Sequence, residues 1–311
     1  MPPRISSGLY DPRRGDHAIR VDAVNLGCKS FEPVRTNYFC VYRITNGRGT
    51  FWADASQFAF GPSDLLFLVP YQHIRFAPET AVRGDLLQFH ANFLCVETFH
   101  AEVGCAGILF NDPYRPPVLT LDEASQLAVG GLIERMRSEQ AEQDLAFDEV
   151  MLANLKVLLI LATRLKTRTG AACPPGGDSR HPVVAELREL IEQHYRTLHS
   201  PADYADRLHV TAKTLGRIVR EQLGTTPTDL IKSRILIHAK WQLLHTLKPV
   251  KEIAREVGFH DELYFSHLFK KGTGVSPTFF REFETEIRGG SNLSMLSDDA
   301  PILAATPAAD T

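Results

Sequence analysis

The sequence predicts an α+β chain of two domains: a β sandwich or jelly roll with trailing helices, then an all-α domain that builds one helical unit twice. Three observations carry this. Short apolar and alternating runs crowd residues 39–90, and two long helical stretches follow them. Beyond a Gly/Pro-rich break, "LGRIVREQLGTTPTDLI" and "FSHLFKKGTGVSPTFFR" repeat one pattern fifty residues apart. A chain of 311 residues is long enough to bury two cores.

In the front half, "FCVYRIT", "GTFWAD", "SQFAF", "DLLFLV", "IRFAP" and "DLLQFH" read as strands. Asn46-Gly47, Gly61-Pro62, Pro70, Pro78 and Gly84 divide them with turn chemistry. Short strands at this spacing suit a sandwich or jelly roll. Helices are predicted over 122–140 and 147–168. In the second, Val150, Met151, Asn154, Leu155, Leu158, Leu161 and Leu165 form a broad stripe, with Val157, Leu159 and Ile160 on its flank. A helix apolar on more than one side needs two partners, one of them its own domain. A second subunit, paired through 147–168, is the other expectation.

"TGAACPPGGDSR" reads as a linker over 169–181. Residues 182–285 then form the helical domain, after which 286–311 has the composition of a disordered tail. Each copy of the repeated unit begins with a short helix holding an alanine, Ala205 or Ala254, where a second helix crosses closely. Gly258 supplies the turn in the second copy. His209 stands there in the first, so a left-handed residue is expected. Leu215, Ile218 and Val219 match Phe265, Leu268 and Phe269 as the inward side of the second helix. Gly224 and Gly274 end that helix, and Thr226-Pro227 and Ser276-Pro277 start the next. Helix, tight turn, helix with this spacing is a helix-turn-helix, whose second helix lies in the DNA major groove. The helix predicted between the copies, over 228–247, spans about 30 Å at 1.5 Å per residue. That is close to one turn of duplex, so two reading heads reach successive grooves on one face.

Charge agrees. The chain carries a net −3, yet residues 207–281 hold 13 Lys+Arg against 6 Asp+Glu, leaving 21 against 31 elsewhere. A basic block on an acidic chain is the footprint of a nucleic-acid-binding module. Five scattered cysteines without a C-x-x-C pair predict neither a disulfide framework nor structural zinc. The longest apolar run, "VLLILA", is too short for a bilayer, and no secretory signal opens the sequence. A cytoplasmic protein without membrane contact is the expectation.

Residues 183–284, above all "KEIAREVGFHDELYFSHLFKKGTGVSPTFFR", resemble the DNA-binding domain of AraC-type transcription regulators. The resemblance implies a double-stranded DNA partner. By position it gives Lys213, Thr214, Gly216 and Arg217 of the first recognition helix to the groove, and Glu262, Leu263, Ser266 and His267 of the second. Thr211, Arg220, Tyr264, Lys270 and Lys271 would hold phosphates. His267 stands where relatives commonly have arginine, and an imidazole cannot make the bidentate contact to guanine.

Residues 1–120 resemble the cupin-like jelly roll that senses effectors in the same family, with "SDLLFLVPYQHIRF" as its strand-turn-strand stretch. The helices in 121–168 then correspond to the family's dimerisation helices. The resemblance implies a small-molecule effector, with Tyr42, Trp52, His73, Phe76 and Phe89 as candidate pocket residues. Metal-dependent cupins carry two histidines two residues apart, whereas His73 is followed by Arg75, so neither metal nor other cofactor is expected. His73, His90 and a carboxylate such as Glu79 are the remaining ligand set. There is no G-x-S-x-G and no glycine-rich phosphate loop with a lysine. The reading is a non-enzymatic, dimeric transcription regulator, an activator that works with RNA polymerase and answers to an effector. A low-specificity DNA binder, or a cupin enzyme fused to a DNA-binding domain, are the alternatives.

Overall fold

The front half is three layers deep because its central strands bury both faces. The computed structural model describes residues 8–91, 108–110, 112–171 and 182–287. Eight strands lie among them: β1 (Ile19–Leu26), β2 (Phe39–Asn46), β3 (Gly49–Ala53), β4 (Ser56–Phe60), β5 (Asp64–Leu68), β6 (Ile74–Pro78), β7 (Val82–Phe89) and β8 (Val118–Thr120). They form two antiparallel sheets, β1-β7-β2-β5-β8 and β4-β3-β6. The five-stranded sheet is the middle layer. Its side chains alternate: Val41, Leu65, Phe67, Leu87 and Phe89 point one way, and Tyr42, Leu66, Leu68 and Leu86 the other.

The first set meets α1 (Glu123–Glu142) and α2 (Phe147–Ala171) through Ile133, Met136, Met151, Leu155 and Leu158. The second set meets the three-stranded sheet through Phe51, Phe60 and Phe76. β1 and β8 lie beyond the six runs legible in the sequence. β1 is an edge strand, and the Gln140 side chain covers it by accepting from the Val21 amide at 2.7 Å and donating to its carbonyl at 3.1 Å.

The C-terminal half is all helix: α3 (Pro182–His194), α4 (Pro201–Arg207), α5 (Ala212–Leu223), α6 (Pro227–His245), α7 (Val250–Glu256), α8 (Glu262–Thr273) and α9 (Pro277–Ile287). Ser200 caps α4, Thr226 caps α6, and the Ser276 hydroxyl accepts from the Phe279 amide at the start of α9. The first tight turn places His209 at φ 54°, the left-handed conformation its match to Gly258 (φ 88°) requires.

Ala205, Ala254, Leu215, Ile218, Val219, Phe265 and Phe269 are all buried in one core. Each large side chain among them contributes roughly 1.5–3 kcal/mol by leaving water. Leu268 differs from its expected place: it is only partly buried and faces the front half rather than the unit's interior. α2 runs three residues beyond the expected helix, into the stretch read as a linker. The rest of that stretch, 172–181, and the tail from 288 onward lie outside the described residues.

Candidate nucleic-acid interface and interdomain cleft

α5 and α8 are the second helices of the two units, and each is fixed by a cap at its start. Thr211 Oγ1 accepts from the Thr214 amide at 3.1 Å, and Asp261 accepts from the Leu263 amide at 2.8 Å. Each ends on a left-handed glycine, Gly224 at φ 65° and Gly274 at φ 86°. With the apolar faces committed inward, the opposite faces reach water. Thr211, Lys213, Arg217 and Arg220 are exposed on the first head, and Thr214 and Gly216 are half-buried beside them. On the second, Glu262, Leu263, Tyr264, His267, Lys270 and Lys271 are exposed, and Ser266 is half-buried.

Leu263 is 80% exposed, an unusual setting for a large apolar side chain away from any partner. Arg217 pairs with Glu221 one turn on, at 2.9 Å and in open water, a pairing too weak to withhold the guanidinium from another anion. Thr211 is already engaged as a cap, so its hydroxyl has less to offer a phosphate than the free ammonium of Lys213. All thirteen residues given to the DNA thus lie on, or at the caps of, the two helices that the repeat builds. α6 joins the units and, at 19 residues, spans about 28 Å.

The candidate effector residues do not share one site. Tyr42 and Phe76 face each other in the sandwich core with ring centroids 5.1 Å apart, while Phe89 lies on the sheet's other face against Phe39. The Arg75 guanidinium covers Trp52 at 3.8 Å. Beside Tyr42 there is space for about one water, 20 Å³. His73 alone of the five lines a large cavity, a cleft of about 610 Å³ between the two halves. Phe58, Phe67, Val69 and Phe110 give it apolar walls from the front, and Leu236 and Leu268 do so from the helices.

Its charged lining is Arg35, Arg115, Lys232, Lys240 and Lys271 against Asp54, Asp112 and Asp229. Burial pushes the Lys240 ammonium down to about 8, and its Nζ donates to the Pro70 carbonyl at 3.1 Å. No local pattern marks this cleft, because its walls lie far apart along the chain. His90, read as the partner of His73 in a metal set, is instead buried against Glu284 of α9. No group of three or more His, Cys, Asp or Glu able to hold a metal occurs among the described residues. Nor does any described helix have the length and apolarity to cross a membrane.

Two capped reading helices on a basic domain, carried by a β sandwich, define a DNA-binding transcription regulator. Residues 204–282 match the family described as "Helix-turn-helix domain". The chain is 27% identical over 252 residues to the arabinose operon regulatory protein of Salmonella typhimurium, covering 76% of this chain and 80% of that one. It is 29% identical over 176 residues to the HTH-type transcriptional activator RhaS of Escherichia fergusonii, covering 56% and 58%. Among solved structures, the C-terminal domain of AraT, a response regulator from Geobacillus stearothermophilus, is 29% identical with a TM-score of 0.33, covering 40% of this chain and 96% of that one. ToxT from Vibrio cholerae is 12% identical with a TM-score of 0.36, covering 85% and 97%. These matches support an AraC-type transcription regulator.

Proposed function

We propose that this chain is a sequence-specific transcription activator, a homodimer whose grip on DNA responds to a small molecule held in the interdomain cleft. The observation that carries the DNA reading is the pair of recognition helices, each apolar on its inner face with polar side chains exposed along the other. Arg217 and Glu262 read bases, while Arg220, Lys270 and Lys271 hold phosphates and make affinity salt-dependent. The relative RhaS is named a transcriptional activator, and as an activator this chain works with RNA polymerase. The cytoplasm is the compartment this reading assigns.

The cleft supports the effector reading by size, since about 610 Å³ suits a small molecule. Apolar walls with five cations against three carboxylates favour a ligand with an apolar body and an acidic group. Such a ligand shifts the protein only if its affinity differs between two arrangements of the halves. Dimerisation is assigned to the outer face of α2, where Ala153 and Val157 are exposed and Val150, Ile160 and Leu161 half-buried.

Selection of bound fragments from sheared genomic DNA tests the reading. Enrichment of a few sites with paired motifs one helical turn apart is the expected result. Recovery without any shared motif would contradict sequence-specific regulation.

A further inference from the structure

The two recognition helices hold the same places with different chemistry. Thr211 caps α5 and Asp261 caps α8, so Lys213 and Leu263 are each the second residue of their helix, and Arg217 and His267 each the sixth. All four are exposed. Residues four apart share one helix face, and on that face the first head offers two cations where the second offers an isobutyl group and an imidazole.

Leu263 has the setting of a contact residue whose contact lies outside the chain. It is 80% exposed, belongs to no apolar cluster among the described residues, and does not line the interdomain cleft. Its backbone amide donates to the Asp261 side chain at 2.8 Å, which fixes the first turn of α8. That carboxylate occupies the helix N-terminus, where a phosphate would otherwise bind. Glu262 beside it is exposed and acidic, whereas Lys270 and Lys271 lie in the last turn. Phosphate is therefore repelled from the N-terminal corner of α8 and attracted to its other end. A recognition helix turns its N-terminal residues to the base edges, and this order of charge suits that orientation. Of the base edges in the major groove, thymine alone presents an apolar group, its 5-methyl.

We propose that Leu263 is a specificity-determining residue of the second head, packing its side chain on the 5-methyl group of a thymine. The heads are then unequal readers. The cations of the first suit guanine, whose O6 and N7 both accept, and Leu263 suits thymine. An unequal pair gives the bound chain one direction along the duplex. The proposal rests on the DNA-binding reading above and names a base that the second head reads.

Deoxyuridine lacks only that methyl group and keeps the same base pairing. In duplexes of roughly 40 bp from the selected fragments, several helical turns long, each thymine of the site is replaced by it in turn. The full chain is titrated against each duplex by fluorescence anisotropy at one salt concentration. Wild type should lose roughly fourfold in affinity at one or two neighbouring thymines, the worth of one methyl group leaving water. Leu263→Ala should bind the thymine site more weakly and be indifferent to replacement at those positions. Arg217→Ala, altered on the first head, should bind more weakly throughout yet keep the fourfold ratio. A wild type indifferent to every replacement would overturn the thymine contact. A Leu263→Ala variant that keeps the ratio, or an Arg217→Ala variant that loses it as well, would overturn the assignment to Leu263. Wild-type binding no tighter to the selected site than to a shuffled duplex would instead overturn the sequence-specific reading, and the proposal with it.

Discussion

His90 Nε2 lies 3.3 Å from the Glu284 carboxylate, joining the end of a front-half strand to the last helix of the C-terminal half. Both side chains are almost fully buried, and Tyr71 and Asn37 donate to the same carboxylate. Three front-half donors thus converge on one acceptor, and the Tyr71 ring also packs on Phe280 with centroids 5.0 Å apart. A buried carboxylate so satisfied favours one docked arrangement, because any other gives up these hydrogen bonds between the halves.

Glu284→Ala removes the acceptor that those three groups share. Removing one partner of a buried hydrogen bond costs on the order of 1–3 kcal/mol. Urea denaturation should show that loss, with the two halves unfolding in separate transitions. An unchanged single transition would show that the halves are coupled elsewhere.

The two faces of α2 give opposite outcomes. Leu158 is fully buried in the front core, so its truncation to alanine should cost about 2–5 kcal/mol and leave the dimer intact. Val157 is 46% exposed on the outer face, so Val157→Glu should yield monomers at little cost in stability. Sedimentation velocity distinguishes them. A Val157→Glu dimer would move the partner surface off α2.

Arg217 and Lys270 are both exposed cations, yet they are assigned different work. Arg217→Ala should cost about 1–3 kcal/mol and relax preference at one base position. Lys270→Ala should weaken binding to all sequences alike and lower the salt slope by about one. Affinities measured across salt concentrations and single-base variants of a selected site check both.

His238 in α6 should make the C-terminal half acid-sensitive. Burial, with Arg196, Arg234 and Lys248 nearby, holds its imidazole down to about 4, below the ordinary 6.5. The folded form keeps it neutral while the unfolded chain takes up a proton. Its contribution is therefore full above about pH 6.5 and is lost as pH falls toward about 4. Replacing His238 with glutamine should flatten this part of the stability profile. An unchanged slope would assign the acid sensitivity to other groups.

The helix-turn-helix pair was legible because local chemistry specifies it. Capping hydroxyls, left-handed glycines and a 3.6-residue stripe each act within a few positions, and even the left-handed His209 could be inferred from its match to Gly258. The strands of residues 39–90 were legible for the same reason. β8 was not, since three residues carry no period, and β1 was not, since its Asp22 and Asn25 blur the alternation expected of a strand. Most of the contact between the halves was illegible. Tyr71 and Glu284 meet across 213 residues, and Glu284 reads in sequence as one more acid on a surface helix. Aromatic residues on strands announce burial but not whether a cavity lies beside them. Hence Tyr42 and Phe76 packed into a filled core, whereas Lys240, unremarkable in sequence, reached the cleft.

The central claim is that one chain reads two successive major grooves. Methylation-interference footprinting on a selected site tests it most directly. The account predicts two clusters of guanine interference per subunit, one helical turn of about 10.5 bp apart on one face of the duplex. The cluster facing α5 should vanish with Arg217→Ala, and the other should remain. A single cluster per subunit, or interference unchanged by that substitution, would contradict it.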